Sequence, residues 1–116
     1  MSTDVTTPLY YTYNQNNSGG SFVNNDRVCH YVIVQAVSPA DADRRAENIG
    51  IYFDGVADGQ DCSCCGDRWD RAWQAGTAKP EIYGKDPREY DDMFTESSEV
   101  MCRIYHLNGT ITEVKQ

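Results

Sequence analysis

Apolar and polar positions alternate along this chain in two distinct rhythms. Residues 7–13 (TPLYYTY) are dense in β formers and predict a first strand, with Pro8 placing its start at a sheet edge. Residues 28–37 (VCHYVIVQAV) are almost wholly apolar or β-branched, which predicts a central strand buried on both faces. Then the period changes. Ser38 is an N-cap, Pro39 the first helical residue and Asp41 completes a capping box. Ala42, Ala46 and Ile49 recur at i, i+4 and i+7 as a narrow apolar stripe that can pack closely on a sheet, and Gly50 is the stop. Ile51, Tyr52 and Phe53 continue as a short strand or extended segment, ended by Asp54-Gly55.

The second half is less regular. Residues 67–74 (DRWDRAWQ) fit either period, and a short helix or irregular segment is the favoured expectation. Residues 76–85 read as loop. Asp86-Pro87-Arg88-Glu89 is a second capping box, predicting a short helix to Phe94 with Tyr90, Met93 and Phe94 on its apolar face. Asn108-Gly109, between residues 99–107 and 110–115, predicts a hairpin whose type I′ turn needs positive φ at both central residues. The expected fold is α+β: a small, mostly antiparallel sheet with one capped helix packed on it, a short second helix and a C-terminal β-hairpin. A length of 116 residues suits a single domain, 1–116, with one modest core.

Charge narrows the partners. Eighteen acidic against ten basic residues give a net charge of −8, which argues against direct binding to nucleic-acid phosphates. It suits a soluble acidic protein or, more sharply, a surface that competes with nucleic acid for a basic groove on a partner. No apolar run is long enough to span a membrane. Met1 to Pro8 has neither a basic start nor an apolar core, so no signal peptide is expected and the cytoplasm is favoured.

The cysteines supply the densest chemistry. Cys62, Cys64 and Cys65 fall within four positions, and Cys62-x-x-Cys65-Gly66 has the spacing of a metal knuckle. Zinc is the candidate cofactor, and a structural site usually takes four thiolates or imidazoles. Further ligands would come from Cys29, His30, Cys64, Cys102 or His106. Cys29 and His30 are neighbours on one strand and point to opposite faces, and Cys102 and His106 stand too far apart along a strand for one ion, so no pair completes a standard ribbon. A reduced turn, with Cys29 and Cys102 as small core residues, and a disulfide or redox pairing of Cys62 with Cys65 remain alternatives. Each histidine is expected to be structural. The acidic pairs Asp41 with Asp43 and Asp91 with Asp92 are expected on solvated helix faces.

Residues 14–25 (NQNNSGGSFVNN) form a turn-rich loop whose Asn and Gly residues tolerate positive φ. With the tyrosines before it, it is the expected contact surface for a ligand or partner: Tyr11, Tyr13, Asn14, Asn16, Asn17, Gly19 and Gly20. The loop lacks a P-loop lysine, and no nucleophile elbow, zinc-protease or dinucleotide motif occurs elsewhere.

Four stretches taken together, residues 10–22 (YYTYNQNNSGGSF), 50–56 (GIYFDGV), 61–69 (DCSCCGDRW) and 82–84 (IYG), resemble a family of small, functionally uncharacterised proteins of tailed bacteriophages. The resemblance implies a phage accessory protein of the host cytoplasm. The function it suggests is non-enzymatic: binding, and inhibiting or modulating, a host protein such as a defence or nucleic-acid-handling factor. A small-ligand or nucleotide binder using the asparagine-rich loop, a thiol- or metal-dependent enzyme, and a structural virion component are the alternatives.

Overall fold

The structure is a computed structural model that describes residues 7–16, 23–61, 66–72, 76–90 and 100–115. Its elements are strand β1 (Leu9–Asn14), strand β2 (Tyr31–Ala36), helix α1 (Pro39–Asn48), strand β3 (Val100–Tyr105) and strand β4 (Ile111–Lys115). They make one four-stranded sheet in the order β1-β2-β3-β4 with α1 packed on it, an α+β arrangement.

The sheet is mostly antiparallel. β1 pairs antiparallel with β2, Leu9 opposite Ala36 through Asn14 opposite Tyr31, and β4 pairs antiparallel with β3. The two central strands are parallel, with Tyr31 opposite Cys102. A parallel pair needs a long crossover, and the chain between Ala36 and Val100, α1 included, provides it. β2 is nearly continuous in apolar residues because it is covered on both sides. Val32, Val34 and Ala36 join one core with Tyr11, Tyr13, Ala42, Ala46, Ile51, Phe53 and Trp69, while Tyr31 and Ile33 join a second with Ile82, Met101, Cys102, Ile104 and Val114.

Helix α1 begins and ends as its sequence dictates. The Ser38 hydroxyl accepts from the Asp41 amide at 3.1 Å. The Asp41 carboxylate reaches one residue further back than a capping box requires, accepting from the Val37 amide at 3.2 Å. At the other end, Gly50 (φ 106°) donates to Glu47 and Ile51 donates to Ala46, the paired bonds of a Schellman motif.

Several expectations need correction. Asp41 and Asp43 are not on a solvated face: Asp41 is buried among Val37, Arg44 and Arg45, and Asp43 accepts from the Tyr13 hydroxyl and the Ala72 amide, both at 2.8 Å. Of the two alternatives for residues 51–53, the strand is not formed: Ile51 and Phe53 are core residues outside the four described strands. In the hairpin, positive φ falls on Gly109 (94°) and not on Asn108. His106 accepts from Gly109 and donates to Thr110, so the loop is a turn followed by a left-handed glycine rather than a type I′ turn. Residues 86–90 form a turn in which Glu89 donates to Asp86 at 2.8 Å, and residues 91–99, where the second helix was expected to continue, lie outside the described residues. No helix among the described residues is long and apolar enough to cross a membrane.

Candidate functional site

Two stretches singled out from the sequence, the asparagine-rich loop and the cysteine cluster, meet at their bases. Gln15 sits at the end of β1, buried. Its amide nitrogen donates to the carbonyls of Val23 and Cys29, each at 3.0 Å, and its amide oxygen accepts from the Val23 amide and from Arg68 Nη1. One side chain therefore ties the two ends of the asparagine-rich loop together. Arg68 belongs to the other stretch. Its own amide donates to Asp61 Oδ2 at 2.7 Å, and Tyr52 donates to Asp61 Oδ1 at 2.6 Å. The Asp61 side chain is 1% exposed. Burial, together with the bond to Asp61, raises the Tyr52 hydroxyl above its usual pKa. Gly55 makes this packing possible, since a Cβ there would lie 2.0 Å from Asp61 Oδ2. Asn16 completes the junction, its backbone donating to Arg68 O and its side chain to Asp67 O.

Of the expected contact residues, Asn14 is exposed and Asn16 half-buried, whereas Tyr11 (6% exposed) and Tyr13 (2% exposed) belong to the core. These two tyrosines therefore do not form an outer surface. The bond to Asp43 is what lets Tyr13 be buried, and burial together with that bond raises its pKa far above the ordinary phenol value. Asn17, Gly19 and Gly20 lie outside the described residues, as do Cys62, Cys64 and Cys65.

The other ligands suggested for zinc are placed for different work. Cys29 and Cys102 are buried free thiols. Burial pushes the Cys29 thiol up to about 11 and raises Cys102 as well, so both are protonated at neutral pH. His106 spends both ring nitrogens, on the Tyr10 hydroxyl at 3.1 Å and on the Thr112 hydroxyl at 2.8 Å. His30 is buried with its ring stacked on Tyr31 at 4.2 Å between centroids. Among the described residues no group of three or more His, Cys, Asp or Glu side chains stands where it could hold a metal.

The site that sequence reasoning missed is on the second face of the sheet. Ile82 and Lys85 exchange backbone hydrogen bonds at 2.8 and 3.0 Å across Tyr83-Gly84. Both central residues have positive φ, 50° for Tyr83 and 80° for Gly84, so this is a type I′ hairpin. Ile82 plugs into the second core while Tyr83 stands 70% exposed. The Tyr83 ring meets Tyr31 edge-on at 6.3 Å and Tyr90 at 5.9 Å, and Tyr31 donates to the Tyr90 hydroxyl at 3.1 Å. The Asn14 amide nitrogen donates to the Tyr83 hydroxyl, and the Thr12 hydroxyl donates to Glu81 O at 2.7 Å, so β1 supports the hairpin from the side. A bulky residue in the left-handed region is uncommon and strained. Its only signal in the sequence is the Gly84 that follows it.

On the α1 side, a cavity of ≈ 190 Å³ is lined by Val34, Gln35, Arg45, Asn48, Tyr105 and His106, among others. Three of its polar groups are already engaged: Arg45 with Asp41, Gln35 with the Leu107 amide, and His106 as above. The model of a family described as a domain of unknown function, DUF7296, matches residues 8–115. The chain belongs to that family. No curated protein and no solved structure matches it. The family match spans both loop bases and the Tyr83 hairpin, and assigns no chemistry to either.

Proposed function

We propose that this chain is a small acidic accessory protein of tailed-bacteriophage type that acts by binding. It docks on a host protein in the host cytoplasm and modulates or inhibits it, without chemistry of its own. The observation that carries this reading is Tyr83: a large aromatic held in strained backbone and 70% exposed. Strain that persists at a surface position points to function, because an unstrained residue there would stabilise the fold. Tyrosine is also among the residues enriched at interface anchors. The net charge of −8 favours a basic partner surface and hastens encounter with it.

The test is affinity capture from host lysate, followed by crosslinking of the captured complex. The expected result is one stoichiometric partner crosslinked near Asn14 and Tyr83, lost with Tyr83→Asn and retained with Ile111→Asp, a change on the distant edge strand. A partner held equally well by the Tyr83→Asn variant would overturn the reading.

A further inference from the structure

We infer that the ring of Tyr83 and the side-chain oxygen of Asn14 form a seat for a guanidinium group, the arginine of a basic segment of a protein partner. This rests on the reading of the same face as a docking surface and names the chemistry it recognises. The Asn14 amide nitrogen is committed to the Tyr83 hydroxyl, which leaves the amide oxygen as the acceptor of that side chain. Among the described residues nothing donates to that oxygen, and Asn14 itself is exposed. Beside it stands an aromatic ring backed by Tyr31 and Tyr90 and open to solvent on its outer side. A planar cation can stack on such a ring while its N–H groups reach a neighbouring acceptor. Arginine does both at once, whereas a lysine ammonium is a compact, strongly hydrated point charge.

The overall charge of −8 agrees with a cationic ligand. Along the segment that carries Tyr83, Glu81, Asp86 and Glu89 stand with Lys79, Lys85 and Arg88, and Arg88 is paired with Asp86 at 3.3 Å. Nucleic acid is disfavoured by the net charge of −8.

The probe is a fluorescent peptide of alternating glycine and arginine, compared with a glycine-lysine peptide of equal length and charge. Fluorescence anisotropy on the full chain at physiological salt gives the two affinities. General attraction to an acidic protein contributes equally to both peptides, so the ratio reports the seat. The expected preference for arginine is about threefold to fivefold. Tyr83→Asn keeps the net charge and suits the left-handed backbone, so it should remove the preference while the melting temperature stays or rises. Tyr83→Phe keeps the ring and should keep most of the preference, which guards against a folding artefact in the first variant.

Equal affinities for the two peptides in the wild type would overturn the inference, as would a Tyr83→Asn protein that still prefers arginine. If the host partner is captured through Tyr83 but the peptides bind equally, the docking face stands and the guanidinium seat falls. If the arginine preference is found but no host partner is captured, the seat stands and the host-protein reading falls.

Discussion

The two faces of the sheet are finished differently. On the α1 face, the core side chains Tyr13, Phe53 and Trp69 are covered and the surrounding polar groups are turned inward: Asp43 caps Tyr13, and Asp61, Tyr52, Arg68 and Gln15 satisfy one another beside Trp69. On the other face, the core of Ile33, Ile82, Met101 and Ile104 is just as dry, but it ends in an aromatic patch that rises into solvent at a strained turn. The first face is built to hold the chain together. On the second, Tyr83 keeps contacts with Tyr31, Tyr90 and Asn14 while bearing left-handed strain and standing 70% exposed.

Substitutions sharpen this contrast, starting with the face built for stability. Trp69 is 2% exposed, and Trp69→Ala should cost about 3–5 kcal/mol in urea denaturation. A loss below about 1 kcal/mol, within the range of ordinary surface substitutions, would mean the indole anchors nothing. Asp61→Ala strips the bonds from the Arg68 amide and the Tyr52 hydroxyl and should cost about 2–3 kcal/mol.

Acid probes the α1 face more gently. Burial opposes ionisation of Asp41, but bonds from Arg45 and the Val37 amide, with the charges of Arg45 and Arg44, outweigh it and hold the carboxyl below its usual range. A depressed folded pKa means its stabilisation is complete above the unfolded value of about 3.9 and is lost as pH falls through the folded one. Asp41→Asn should therefore be less stable than wild type at neutral pH, by about 1 kcal/mol as for a lost cap, with the gap closing below about pH 4. A gap unchanged down to pH 2 would show that the carboxylate charge is not what matters.

Tyr83→Asn is the opposite case. Relief of the left-handed strain should stabilise the fold by up to about 1 kcal/mol. A marked destabilisation would make Tyr83 a packing residue and erase the contrast between the two faces.

Local chemistry explains what was legible in the sequence. Ser38, Pro39 and Gly50 act within a few residues of themselves, so the helix ends were readable, as was the doubly buried central strand. Pairing of β2 with β3 joins segments far apart in sequence, and nothing in either strand specifies parallel over antiparallel. The density of β formers in residues 7–13 gave a strand, observed over Leu9–Asn14, but not which side faces the core. Tyr11 and Tyr13 were expected at a contact surface because tyrosine offers large contact area at small entropy cost, and Asp43, which satisfies Tyr13 from α1, cannot be paired with it by pattern. The Tyr83 turn was hidden because type I′ turns announce themselves through Asn, Asp or Gly at the position tyrosine occupies here.

The central claim is that the Asn14–Tyr83 face, rather than the α1 side, is where this protein meets its partner. Amide chemical-shift mapping with the glycine-arginine peptide tests it most directly. Shifts should concentrate at Asn14, Ile82, Tyr83, Gly84 and Lys85, and vanish in Tyr83→Asn. Shifts centred instead on Val34, Arg45 and Asn48, around the cavity beside α1, with residues 82–85 unmoved, would contradict it.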